Sequence, residues 1–300
     1  MLKRLWHYLC EMHPPVKTTF VSAVLFFEIY FLVIITGDVK SFSVGRSEVC
    51  GALTVGIFLL SLRIADDFKD YKTDKILFPT RPLPSGRVHK SDLMTLLVTA
   101  NVVSIVLNLL FMNNFWFYLL LMGYGTLMSV WFFARTKIQK NLPLALITHN
   151  PIQLVINAYI ISFTCMKYYL PLLSFNTVLI AFTLYWPGLI WEISRKVRAP
   201  KDETEYTTYS KLFGYQKCTK FVIAVLFLDV LTSGTLMYRL WPWGIIAVAL
   251  AFVWLVFSAL KFMKNPEKHT LVSRVEIYEL ITELPVILIE IIYLLGGFVV

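Results

Sequence analysis

Nine apolar stretches, each long enough to cross a lipid bilayer, constrain this chain more than any other feature. They run over about 18–37, 47–64, 92–112, 115–134, 143–164, 173–191, 220–238, 243–262 and 280–299. A helix rises about 1.5 Å per residue, so roughly 20 apolar residues match the hydrocarbon thickness. In that medium a spanning segment satisfies its backbone only as a helix or in a closed barrel. The strict alternation of barrel strands is absent. The sequence therefore predicts an all-α integral membrane protein. Composition agrees: 57% of the 300 residues are hydrophobic and 16% are charged, against about 25% charged in an average soluble domain. One polytopic membrane domain over 1–300 is expected. Residues 1–17 read as a short N-terminal arm, because they lack the apolar run of a cleavable signal. The cysteines, Cys10, Cys50, Cys165 and Cys218, are scattered with no CxxC pair, which indicates neither a zinc site nor a disulfide framework.

The basic residues orient the spans. Of the 28 Lys and Arg, only Lys40, Arg46, Lys167 and Arg239 fall on one side of a nine-span chain. The positive-inside rule then places the N-terminus and the richly charged loops in the cytoplasm and the C-terminus on the opposite side. Two cytoplasmic loops, about 65–91 and 192–219, mix carboxylates with cations, so polar chemistry is expected at that mouth.

The first of these opens with "RIADDFKDYKTD", residues 63–74. Asp66, Asp70 and Asp74 are spaced i, i+4, i+8, and Asp67, Asp70 and Asp74 i, i+3, i+7. Either set lines one face if the second span continues as a helix past the membrane edge. Like charges this close repel, and a hard divalent cation offsets them; Mg2+ typically takes one or two carboxylates plus substrate phosphates. A solvated helix end balanced by Arg63, Lys69, Lys72 and Lys75 is the plainer alternative. The following "TRPLPSGRV" is a stiff turn that holds Arg81 and Arg87. Arginine forks match phosphate geometry, although positive-inside anchoring also accounts for such residues.

The second loop repeats this chemistry. Glu192 is followed by Arg195, Lys196 and Arg198, then Asp202, Glu203 and Glu205, then Tyr209, Ser210 and Lys211. The stretch 134–141 adds Arg135, Lys137 and Lys140. Two acidic clusters and several cations facing one cavity suit a diphosphate held by two Mg2+ ions, which neutralise a leaving pyrophosphate. A diphosphate on an apolar tail would also account for the membrane. Polar residues inside spans are costly and often functional. His149 and Asn150 in "THNP" precede a kinking proline; they either line the cavity or hydrogen-bond between helices. Tyr30, Tyr124, Tyr159 and Trp186 lie at depths where an aromatic face can stabilise a carbocation.

These motifs resemble the UbiA superfamily of intramembrane prenyltransferases, over nearly the whole chain. The superfamily pattern NDxxDxxxD reads here Asp66-Asp67-Phe-Lys-Asp70-Tyr-Lys-Thr-Asp74, with aspartate in place of asparagine. The resemblance implies a nine-helix bundle with a central cavity opening to the cytoplasmic side. It implies Mg2+, two ions, at Asp66, Asp67, Asp70 and Asp74, and a second acidic set begun by Glu192. Arg195, Lys196 and Arg198 occupy the next turns of that motif, so Asp202 or Glu203 has to supply its other acid. Candidate substrate contacts are Arg63, Lys69, Arg81, Arg87, Lys137, Arg195, Lys196, Arg198, Tyr209 and Lys211, with His149 and Asn150 in the span. The implied activity is transfer of a prenyl group from a prenyl diphosphate to an aromatic or lipophilic acceptor. Members that prenylate 4-hydroxybenzoate are expected to place a cation for its carboxylate; the first span carries Glu28 and no Lys or Arg after Lys17. A terpene cyclase, in which the cation closes on itself, is the alternative. A non-catalytic transporter or lipid-binding factor is the reading from another class. Membrane lipids are expected partners and nucleic acid is not.

Overall fold

A computed structural model describes residues 1–204 and 207–296; Glu205 and the end of the ninth apolar stretch lie outside the described residues. Among the described residues the chain is helical, with no strand. The helices are α1 (Leu2–Met12), α2 (Pro15–Thr36), α3 (Arg46–Leu77), α4 (Lys90–Phe111), α5 (Phe115–Ser129), α6 (Arg135–Gln139) and α7 (Leu142–His149). They continue as α8 (Ile152–Tyr168), α9 (Phe175–Thr183), α10 (Trp186–Ser194), α11 (Tyr209–Phe213), α12 (Tyr215–Leu240), α13 (Gly244–Lys264) and α14 (Val272–Gly296). Seven of the nine expected stretches fall on a helix or on a consecutive pair of helices.

Among the described residues seven segments are long and apolar enough to cross a membrane: α2, α3, α4, α7–α8, α9–α10, α12 and α13. The other two expected spans depart for physical reasons. α5 has only 15 residues. It ends before three consecutive residues in the left-handed region, Trp131 (φ 56°), Phe132 (φ 48°) and Phe133 (φ 57°), a conformation that L-residues adopt only at a cost and that cannot extend a right-handed helix. α14 is 25 residues long but contains Pro285 and carries Glu276, Glu279, Glu283 and Glu290 among its described residues. The chain is a multi-pass integral membrane protein.

Contacts divide the chain into two compact units. The first comprises Met1–Tyr30, Lys40–Ile138 and Ala158–Leu170; the second comprises Phe31–Val39, Gln139–Asn157 and Pro171–Val300.

In the first unit α3 packs along α4 and against α5. A Cβ on Gly125 of α5 would lie 2.6 Å from the Phe58 ring of α3, so only glycine allows this approach. Lipid tails are as apolar as side chains, so close packing and hydrogen bonds between helices do much of the holding. Asn108 shows it: its amide donates to Thr54 Oγ1 (2.9 Å) and its carbonyl accepts from the Tyr159 hydroxyl (2.8 Å). All three side chains are fully buried. At one end of this unit a small apolar cluster joins α1, α3, the 78–89 turn and α4 through Leu5, Tyr8, Ile64, Leu83, Val88 and Leu93.

In the second unit α12 packs against α9, α10 and α13, and α14 packs against α10 and α13. Ile190, Ile193, Val222, Leu226, Leu255 and Tyr278 belong to its core. The buried Tyr278 hydroxyl donates to Asp229 Oδ2 at 2.5 Å.

Candidate functional site

The aspartate-rich segment is not a loop. α3 runs unbroken for 32 residues, about 48 Å at 1.5 Å per residue. That exceeds a hydrocarbon core of about 30 Å, so its C-terminal third extends beyond the apolar stretch as helix. The loop expected from residue 65 begins instead after Leu77. The reason is local: nothing between Arg63 and Leu77 breaks a helix, and every backbone N–H there keeps its partner one turn back.

Continuity sorts the four aspartates into two kinds. Asp67 and Asp74 are buried. Asp67 accepts from Arg63 on Oδ1 (2.5 Å) and from the Tyr8 hydroxyl on Oδ2 (2.6 Å). Asp74 accepts from Arg81 on Oδ2 (2.8 Å). Buried carboxylates need such partners. Asp66 and Asp70, one helical turn apart, are more open. Asp66 pairs with Lys69 at 3.2 Å, and among the described residues Asp70 accepts no side-chain hydrogen bond. The ammonium of Lys69 also lies 4.4 Å from the ring centre of Trp131, in the left-handed turn after α5. Among the described residues no three His, Cys, Asp or Glu side chains converge on one point as a metal cage would require.

The 78–89 turn carries the next cations. Backbone bonds from Arg81 to Phe78 O, Ser85 to Arg81 O and Val88 to Pro82 O build it. Gly86 supplies the positive φ (77°) that lets it close. Arg81 reaches back to Asp74 and lies over the Phe78 ring. Arg87 donates to both carboxylate oxygens of Glu11 (2.7 and 2.9 Å) and to Thr80 O (2.5 Å). Its fork is therefore occupied by a carboxylate of the chain. That hydrogen bond holds the Glu11 carboxyl below its usual range. Lys137 stands exposed on α6.

The expected N-terminal arm is a helix with one buried face. Leu5 and Tyr8 are buried. Arg4 forks onto Asp92 (2.8 and 3.0 Å), Tyr8 donates to Asp67 and Glu11 receives Arg87. Burial, and then the charge of Asp67, push the Tyr8 phenol far above its ordinary value, so it remains a donor. Burial and the charge of Arg63 lower the His13 pKa. The signal for α1 is present in "LKRLWHYLCEM": Leu2, Leu5, Leu9 and Met12 recur at helical spacing.

In the second unit Glu192 closes on its own helix end, with Arg195 at 2.5 Å and Lys196 at 2.9 Å. The chain then folds back: Tyr209 N donates to Lys196 O (3.0 Å) and Arg198 N to Ser210 Oγ (2.8 Å). Glu203 accepts from Thr208 (2.6 Å) and Ser210 (2.5 Å). Asp202 is exposed on a short 3-10 turn. Of the two acids open to the second motif, Glu203 is thus engaged internally and Asp202 is accessible. Lys211 donates to Thr204 O (3.0 Å), and the Lys196 ammonium sits 5.8 Å from the Tyr209 ring centre. Tyr209 also borders an apolar cavity of about 400 Å³ with Leu146, Ile193, Phe213 and Phe221. His149 bonds to the adjacent Thr148 (3.0 Å) at the end of α7, and Asn150 caps that helix before the kink. The interhelical bond near the kink is made by Asn157, which donates to Ala181 O (2.9 Å).

The architecture has a solved counterpart. A structure of a digeranylgeranylglyceryl phosphate synthase in membranes superposes with a TM-score of 0.67 over 96% of this chain and 98% of that one, at 17% identity. The fold is UbiA-like. No protein-family description and no curated protein matches the sequence, so at this identity the likeness is one of fold. A UbiA-like fold is what "RIADDFKDYKTD" and its flanking turn had suggested.

Proposed function

We propose that this chain is an intramembrane prenyltransferase, which moves a prenyl group from a prenyl diphosphate to a lipophilic acceptor. One observation carries the reading: a span of a UbiA-like fold continues beyond the bilayer as α3 and presents the open pair Asp66 and Asp70 beside the braced pair Asp67 and Asp74. The synthase that shares the fold makes, by its name, digeranylgeranylglyceryl phosphate, which supports a lipophilic acceptor here too.

The open pair fits Mg2+. Its donors are oxygens only, they sit one turn apart, and Asp70 has no competing partner among the described residues. The lack of a larger protein cage suits an ion that completes its shell with waters and phosphate oxygens. Asp66 and Asp70 would hold the ion, whose charge would neutralise the diphosphate and favour its departure. Asp67 and Asp74, already countered by Arg63 and Arg81, set the local charge and keep the face rigid. Arg87 would supply a further phosphate partner by exchanging the Glu11 carboxylate for a phosphate.

In the reaction the allylic C–O bond breaks and pyrophosphate leaves with the electron pair. The acceptor's nucleophilic atom bonds to the prenyl carbon and its proton is lost. Water exclusion by the surrounding apolar helices protects the cation from hydrolysis.

The test is pyrophosphate release with mass spectrometry of the organic extract. Purified protein is incubated with Mg2+ and geranyl, farnesyl or geranylgeranyl diphosphate, with and without a glycerol-phosphate lipid or aromatic acceptor. Release that requires the acceptor, with a matching mass gain, supports the transferase. Release with a cyclic product and no acceptor replaces it with the cyclase, and no release under any condition overturns the reading.

A further inference from the structure

α1 touches the α3 site with its chemistry as well as its bulk. Arg4, Tyr8 and Glu11 follow one another at i, i+4 and i+7, and so share a face. That face delivers a cation to Asp92, a hydroxyl to Asp67 and a carboxylate to Arg87. Two of these three partners, Asp67 and Arg87, belong to the site as read above. Packing alone needs only the apolar surface of Leu5 and of the Tyr8 ring, both of which are buried.

We propose that Tyr8 is a positioning residue for the aspartate face, acting through Asp67. The inference rests on the prenyl diphosphate reading of that face. Asp67 is gripped on both oxygens, Arg63 on one and Tyr8 on the other, at 2.5 and 2.6 Å. Arg63 lies on the same helix, four residues away, and a flexible side chain on the same helix cannot by itself fix the carboxylate plane. Tyr8 approaches from another helix, 59 residues distant in sequence. Its ring has no exposure and leaves the hydroxyl little freedom. Without that hydroxyl, Asp67 rotates toward Arg63, and Asp70, three residues on along the same face, meets an altered arrangement of charge. Groups that orient a metal's ligands typically contribute about 10–100-fold to metal affinity, and Tyr8 acts one carboxylate further out, through Asp67.

Tyr8→Phe keeps the ring and removes the hydroxyl. The readout is thermal stabilisation by Mg2+ titrated against geranylgeranyl thiolodiphosphate, a probe that binds without turning over. Wild type gives a Mg2+ midpoint; Tyr8→Phe should raise it about 10-fold, the low end for groups that orient a ligand. Arg4→Ala loosens the same helix at its far tether and should lower the melting temperature with the midpoint near wild type. A wild-type midpoint in Tyr8→Phe overturns the inference. Equal rises in both variants overturn it too, since docking of α1 would then be the cause. A wild-type protein that shows no joint stabilisation and no pyrophosphate release removes the underlying reading and this inference with it.

Discussion

Asp67 on α3 is held from 59 residues away by Tyr8, in addition to Arg63 one turn back. Glu192 and Glu203 of the second unit are held within seven residues, by Arg195, Lys196, Thr208 and Ser210. A carboxylate braced by distant elements keeps its orientation only while the tertiary fold is intact. One braced by its own neighbours keeps it through local structure alone. The α3 face is therefore the part of the chain where small changes elsewhere reach the charged groups. At Glu192 and Glu203 they do not, because the braces there are local.

The largest effect should separate the open from the braced acids. Asp70→Ala should reduce pyrophosphate release by at least about 100-fold, more than the loss of a group that only orients a ligand, with almost no change in melting temperature, because it accepts no side-chain bond. Asp67→Ala should reduce release similarly but also cost about 1–3 kcal/mol of stability, since the buried Tyr8 hydroxyl loses its acceptor. Glu203→Ala should cost less, about 0.5–1.5 kcal/mol, because Thr208 and Ser210 lie 3.2 Å apart and can bond to each other. Melting curves of the three variants rank the braces; a Glu203→Ala loss exceeding that of Asp67→Ala would reverse the comparison.

Arg87→Ala should raise the KM for prenyl diphosphate about 10-fold with kcat little changed, the pattern of a group that binds ground and transition states alike. Steady-state kinetics decide it, and an unchanged KM would confine Arg87 to holding α1.

The smallest effect concerns Glu11. Its folded pKa lies below the ordinary 4.5 because Arg87 hydrogen-bonds the ionised form. That contribution to stability is complete above about pH 4.5 and is lost as pH falls through the lower folded value. Glu11→Gln should therefore flatten the acid limb of melting temperature against pH. The pair is half exposed, so solvent screening keeps the change small.

Much of this was legible in the sequence. Apolar length gave the helical membrane fold because hydrocarbon leaves few alternatives. Aspartate spacing gave one charged helical face because α3 has no breaker before Leu77. What was not legible depended on contacts distant in sequence or on backbone conformation. Spacing alone cannot divide four aspartates into open and braced, since Tyr8 and Arg81 make the division. Nor does composition end α5 at Ser129: the following Trp131, Phe132 and Phe133 read as apolar span, yet they are left-handed. Residues 1–17 read as an arm because they lack the apolar run of a cleavable signal, although Leu2, Leu5, Leu9 and Met12 mark an amphipathic helix.

The order of synthesis gives the docking of α1 a further meaning. A chain grows from its N-terminus, so Tyr8, Glu11 and Arg4 exist before any of their partners. Asp67, Arg87 and Asp92 follow 59, 76 and 88 residues later. α1 must wait at the membrane surface, with Leu5 and Tyr8 uncovered, until α2 and α3 have inserted and the 78–89 turn has closed. Its three partners, on α3, the turn and the start of α4, then come together only if α3 stands in the correct register. The first helix made is thus seated only after the two spans that follow it, and its seating reports that the opening stage of membrane insertion has succeeded.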